Sequence, residues 1–118
     1  MVINQEIKNI VEAIRQAVPA EKIYLFGSYA YGTPSENSDY DFFLVIPDEG
    51  MRPLTAMQEA RRALIPMRLN HELKKSIDVS ANTVSKFEEY KNSIGSVIKE
   101  VAQKGVLIYE RDSSSVAG

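Results

Sequence analysis

Two aspartates stand one residue apart, Asp39 and Asp41, at the head of the stretch "DYDFFLVI". Side chains alternate along a strand, so both carboxylates point to one face. Phe43 and Val45 continue that face, while Tyr40, Phe42, Leu44 and Ile46 take the other. The strand therefore reads as apolar on both sides except at its beginning. Two carboxylates converging there repel each other unless a cation sits between them. The simplest cation is a hard divalent ion, and Mg²⁺ typically takes one or two carboxylates together with phosphate oxygens of a substrate. Upstream, "LFGSYAYG" breaks a strand at Gly27-Ser28. Gly27 lets backbone approach a phosphate closely. The N–H groups of the following turn and the Ser28 hydroxyl can bind phosphate oxygens. These residue types at this spacing suggest metal-assisted handling of a phosphate.

Either pattern alone is common. Both together at one fixed separation arise by chance in roughly one chain in a thousand of this size. The elements that must position them can be read from periodicity. Residues 3–18 form an amphipathic helix with Ile3, Ile7, Ile10, Val11, Ile14 and Val18 as one stripe, closed by Pro19. "KIYLF" is a short buried strand, and the "GTPSENS" stretch is turn chemistry. Asp39 to Ile46 is the second strand. Leu54 to Ile65 is a helix with Met57, Ala60, Leu64 and the stem of Arg61 turned inward, ended or kinked by Pro66. "SIDVSA" is a third strand, after which Asn82 or Thr83 caps a helix. Ile94, Val97, Ile98 and Val101 form its apolar stripe before a C-capping Gly105. "VLIYE" is the fourth strand. The two strands around Gly27 are joined by too few residues for a parallel crossover, so they are expected to be antiparallel neighbours. The whole predicts an α/β (α+β) fold, a small mixed sheet of about four strands with helices packed against it. Residues 1–110 form the domain and 111–118 a disordered tail.

The chain has 118 residues, a length for one domain, with 44% hydrophobic and 25% charged residues, the balance of a soluble globular protein. No apolar run approaches a membrane span, no secretory signal opens the chain, and there is no cysteine. A cytoplasmic location fits. A net charge of −2 argues against broad electrostatic capture of nucleic acid.

"GSYAYGTPSENSDYD" resembles the signature of the DNA polymerase β-like nucleotidyltransferase superfamily: Gly-Ser, ten residues, then Asp-x-Asp. The short length resembles its minimal nucleotidyltransferase (MNT) group. The family commonly has Arg where this chain has Tyr31, which removes one positive charge near the nucleotide. The resemblance implies a third carboxylate on a later strand, and Asp78 in "SIDVS" matches it, with Ile77 and Val79 on the opposite face. It further implies two Mg²⁺ ions held by Asp39, Asp41 and Asp78, with Gly27 and Ser28 binding the triphosphate of ATP or another NTP. The implied activity is transfer of NMP, with AMP expected, to an acceptor hydroxyl. At this length little chain is left to grip an acceptor, so a partner or self-association as a homo-oligomer must supply that surface. In the MNT group the partner is often a helical HEPN-type toxin, which would make this chain the antitoxin of a toxin–antitoxin pair. Two alternatives stay open: a weakly active MNT-fold module that neutralises its partner by contact, and a homodimeric transferase acting on a small molecule.

Asp48, Glu49, Glu72 and His71 read as surface groups. Tyr24, Tyr29 and Tyr31 cluster near the motif, with packing as their first use. Arg61, Arg62, Arg68, Lys74 and Lys75 are unranked candidates for phosphate contact. Pro47 to Leu73, in which exposed Met51, Met57 and Met67 mix with arginines, and the "GTPSENS" loop are the expected docking surfaces.

Overall fold

The computed structural model describes residues 4–27, 39–73 and 75–111. Along these the order is α1 (Gln5–Ala17), β1 (Lys22–Phe26), β2 (Tyr40–Ile46), α2 (Pro53–Ala63), α3 (Ile65–Leu69), β3 (Ile77–Thr83), α4 (Val84–Tyr90), α5 (Val97–Lys104) and β4 (Val106–Glu110). The sheet order is β3-β2-β1-β4. β1 runs antiparallel to β2 and β4, while β2 and β3 are parallel. The mixed four-stranded sheet and the antiparallel β1–β2 pair agree with the sequence reading. Helices α2 and α3 supply the crossover that a parallel β2–β3 pair requires.

β2 is covered on both faces. Its Tyr40, Phe42, Leu44 and Ile46 pack with Ile7, Ile10 and Ile14 of α1 and with Ala56 and Ala60 of α2. On the other side, Phe43 and Val45 meet Phe87 of α4 and Ile98 and Val101 of α5. Each such apolar side chain contributes about 1.5–3 kcal/mol when buried. The strand that presents the aspartates is thus clamped between two layers of helix.

α1 buries the expected stripe of Ile7, Ile10, Val11 and Ile14. It starts at Gln5 because the Asn4 side chain accepts the Ile7 N–H at 2.8 Å. It ends at Ala17 because Val18, preceding Pro19, is extended. Ile3 and the segment from residue 112 onward lie outside the described residues.

Three helical expectations need correction. The helix expected over 54–65 stops at Ala63, and a short α3 with Pro66 in its first turn follows at once. Proline is accepted there because the first-turn N–H groups have no intrahelical acceptor. Ala56 takes a buried place, while Arg61 is exposed. The single helix expected before Gly105 is two. Gly95 has φ +83, and the Ser96 side chain caps α5 by accepting the Lys99 N–H at 2.9 Å. The Ser96 hydroxyl also donates to the Tyr90 carbonyl at 2.9 Å. Ile94 is left 93% exposed and Val97 54% exposed. Gly105 does follow α5, but with extended backbone, φ −69 and ψ 158. A Cβ there would run into the Val101 carbonyl, so close approach rather than a left-handed turn favours glycine. β3 extends to Thr83, which then caps α4 through the Lys86 N–H.

Among the described residues no helix is long and apolar enough to cross a membrane.

Candidate active site

β2 starts at Tyr40, one residue past Asp39, and β3 starts at Ile77. The parallel register sets Tyr40 beside Ile77 and Asp41 beside Asp78. Neighbouring strands are about 4.8 Å apart and register partners share a face, so Asp41 and Asp78 point to the same side. On the other flank, Phe26 of β1 pairs with Asp41, and Gly27 follows at φ +79. A Cβ on Gly27 would collide with Oδ2 of Asp41. Glycine is required here twice over, by its left-handed backbone and by the carboxylate packed against its Cα.

The electrostatics register this crowding. Asp41 is half-buried, and Asp39 and Asp78 are exposed. The Asp41 carboxyl titrates above the ordinary aspartate value, first because burial disfavours its charge. The neighbouring negative charges of Asp78 and then Asp39 push it the same way. A hydrogen bond between the Asp41 and Asp78 carboxyls, which requires a proton on one of them, adds to the shift. Three hard oxygen donors whose mutual repulsion a cation would relieve suit a divalent ion. Among the described residues no group of three acids, histidines or cysteines is arranged as a ready-made metal site.

Tyr40 lies between the two acids and is 1% exposed. Its hydroxyl donates to Glu6 Oε1 at 2.5 Å and faces Asn4 Nδ2 at 3.5 Å. The start of β2 is thereby tied to the first turn of α1. Sequence reading assigned Tyr40 only to a buried face. The buried phenol position next to an acidic first turn of helix was the available signal.

Other candidates distribute unevenly. Ser28, Tyr29, Tyr31, the "GTPSENS" loop and Lys74 lie outside the described residues. Tyr24 stacks on Phe87 with centroids 5.5 Å apart, so packing accounts for it. Arg68 donates to the Lys75 carbonyl at 3.2 Å, beside Ser76, whose carbonyl accepts the Tyr40 N–H at 3.1 Å. This places Arg68 at the acid-bearing end of the sheet. Arg62 pairs with Glu59 at 3.5 Å on the surface. His71, Glu49 and Glu72 are exposed, as expected. Asp48 is more than a surface acid. It accepts the Ser85 N–H at 2.9 Å and the Ser85 hydroxyl, and these bonds hold its carboxyl below the usual range. Met51, Met57 and Met67 are half-buried rather than exposed, with Met51 and Met67 packed on the core.

The family model of the nucleotidyltransferase domain matches residues 7–108. The chain belongs to the nucleotidyltransferase domain family. Three solved structures share the fold of this nucleotidyltransferase domain. A protein assigned as a nucleotidyltransferase from Sulfolobus solfataricus is 22% identical with a TM-score of 0.59, over 91% of this chain and 79% of that one. A toxin–antitoxin crystallised with AMP-PNP is 22% identical with a TM-score of 0.61, over 97% and 80%. A mutant of the toxin–antitoxin MntA-HpeT, with two aspartates changed to glutamate, is 20% identical with a TM-score of 0.58, over 98% and 80%. Comparison with curated proteins returns no match.

Proposed function

We propose that this nucleotidyltransferase domain transfers AMP from ATP to a hydroxyl of a partner protein. In this reading it acts in the cytoplasm as the MNT-type antitoxin of a toxin–antitoxin pair whose toxin is a helical HEPN-type protein. The observation that carries the reading is the side-by-side register of Asp41 and Asp78 on β2 and β3, with the Asp39 charge felt at Asp41 and Gly27 packed against the Asp41 carboxylate. The toxin–antitoxin fold neighbours, one of them crystallised with AMP-PNP, support the nucleotide and the partner class.

Asp39, Asp41 and Asp78 would hold Mg²⁺, which when bound offsets phosphate charge and makes a nearby hydroxyl more acidic. Gly27 and Ser28 would seat the triphosphate through backbone N–H groups and the serine hydroxyl. Asp78, exposed at the rim, would orient the acceptor hydroxyl and take its proton. The hydroxyl oxygen forms the bond to the α-phosphorus as the bond to the β-phosphate bridge breaks, and pyrophosphate leaves. Placement and electrostatics do most of this work, so a small domain suffices.

Incubation with ATP labelled on the α-phosphate, Mg²⁺ and the protein encoded by the adjoining gene tests this. The label is expected on a hydroxyl residue of that protein, with loss of its toxicity. An Asp39→Asn, Asp41→Asn double variant that still neutralises the toxin would mean action by contact instead.

A further inference from the structure

The start of β4 brings a lysine to the aspartates from the side opposite Asp78. Asp41 shares its face of the sheet with Phe43 and Val45, and α4 and α5 cover that face. Phe26 is the register partner of Asp41, and Val106 that of Leu25. The extended backbone of Gly105 carries the line of β4 on to Phe26. α5 therefore lies over the Asp41 face and ends where Asp41 and Gly27 are, away from the end where β1 starts at Lys22.

The side chains of α5 sort by flank. Val101 is fully buried in the cluster that holds Phe43 and Val45 of β2. Lys104 stands three residues further on, so it occupies the same flank about one turn nearer the end of the helix, and it is exposed. Three helical residues advance about 4.5 Å. The two residues of strand from Phe43 to Asp41 advance about 7 Å in the same direction. Two strand spacings, about 10 Å, separate β4 from β2. The four-carbon stem of a lysine and a chain of phosphates bridge such a gap together.

The other cations of this face are placed differently. Lys22 opens β1 at the far end and pairs with Glu110. Lys86 and Lys91 of the α4 segment pair with Glu89 and Glu88, and the Glu88 carboxyl also feels the Lys22 charge, which sets it toward the far end. Lys99 stands in the first turn of α5, its N–H held by the Ser96 hydroxyl. At the aspartate end, Arg68 and Lys75 lie on the β3 side, joined by the Arg68 bond to the Lys75 carbonyl. Lys104 lies on the β1 side, with Gly27.

We propose, on the reading above that the aspartates hold MgATP, that Lys104 binds the β- and γ-phosphates, the part of the nucleotide that leaves as pyrophosphate. Asp78 marks the β3 side, where the acceptor hydroxyl is held. Gly27 and Lys104 mark the β1 side, so the leaving group points away from the attacking oxygen, as in-line displacement requires. An ammonium there offsets the charge that the leaving pyrophosphate gathers. Glu100 stands one turn back at i, i+4 spacing from Lys104. The more highly charged phosphates draw the lysine from that carboxylate when the tail is bound.

The test compares wild type with Lys104→Gln and Lys104→Arg by titration calorimetry with three probes: MgATP, magnesium pyrophosphate and AMP. Lys104 is exposed at the last residue of its helix, so circular dichroism and the thermal midpoint should hold. In Lys104→Gln, affinity for MgATP and for magnesium pyrophosphate should fall on the order of ten- to a hundredfold, the size of a charged hydrogen bond. AMP affinity should stay within about twofold, and Lys104→Arg should recover most of the loss. Glu100→Gln should bind MgATP at least as tightly as wild type. A Lys104→Gln variant that binds MgATP like the wild type overturns the proposal and leaves the nucleotide reading of the aspartates intact. Equal losses for AMP and MgATP overturn it too, since the lysine would then act on the fold or on the nucleoside end. A wild-type chain that binds neither MgATP nor magnesium pyrophosphate overturns both the nucleotide reading and the role of Lys104.

Discussion

Asp41 and Asp78 sit beside each other on parallel strands, and burial together with the Asp78 charge raises the cost of ionising Asp41. Asp41 holds its proton more tightly in the fold than in the open chain. Such a group adds stability below the unfolded-chain value near 4 and loses it as pH rises through its raised folded value. At neutral pH without metal, the ionised carboxylates therefore work against the fold. Asp41→Asn should raise the thermal midpoint at pH 7, and the gain should shrink as pH falls toward 4. Mg²⁺ should raise the wild-type midpoint and leave that of the variant nearly unchanged. Thermal unfolding followed by circular dichroism across this range checks it. A gain independent of pH would mean that the carboxylates are not strained against each other.

Gly27 is the position where the backbone and the site constrain the same residue. Gly27→Ala would place a Cβ at φ +79 and against Asp41 Oδ2. The left-handed backbone alone costs about 1–3 kcal/mol. Asp41 must also move, so MgATP affinity should fall along with stability. Denaturant unfolding and calorimetry measure the two. Loss of stability with unchanged MgATP affinity would separate Gly27 from the site.

Tyr40→Phe keeps the buried ring and deletes the hydroxyl that reaches Glu6. A hydrogen bond to a charged group contributes about 1.5–3 kcal/mol, and the Glu6 carboxylate would lose a donor. Urea unfolding should show a loss of that order with the slope unchanged. A Glu6→Gln, Tyr40→Phe double variant should lose little beyond the single change. Additive losses would show that the two side chains do not act as a pair.

What the sequence made legible was local. Alternation at Asp39 to Ile46 showed which side chains share a face, and the aspartate-bearing strand is buried on both sides as that pattern required. Gly27 announced a backbone that other residues avoid. Relations across the chain were not legible. Asp78 could be placed on a strand, but not directly beside Asp41, because register is set by packing. The capping of α4 by Asp48 joins residues 37 apart in sequence, so no local pattern marks it. Periodicity also misled. Ile94 and Val97 lie at helical spacing from Ile98 and Val101, yet Gly95 turns left-handed and Ser96 starts a new helix. Met67 looked like surface, and Met57 was read both as inward on its helix and as part of an exposed docking segment. The period of their helices puts Met67 toward the sheet and leaves Leu54, Ile65 and Leu69 outside.

Asp78 carries the last prediction because binding and chemistry can be separated there. Its side chain is exposed on β3, an edge strand of the sheet, while Asp41 is half-buried on the strand next to it. Removing the Asp78 carboxylate leaves Gly27, Asp39 and Asp41 to hold nucleotide and metal, and takes away no packing. Asp78→Ala should therefore fold as the wild type does and keep MgATP affinity within about threefold, which is under 1 kcal/mol. A group that orients the acceptor hydroxyl and takes its proton contributes about 10²–10⁴-fold to rate. Transfer of labelled AMP should fall by at least that lower bound, with the loss in kcat rather than in KM for ATP. Relief of repulsion on Asp41 should also lower the Asp41 pKa, visible as a shift in the pH dependence of metal binding. Full transfer activity in Asp78→Ala would remove this residue from the site, whatever its place beside Asp41.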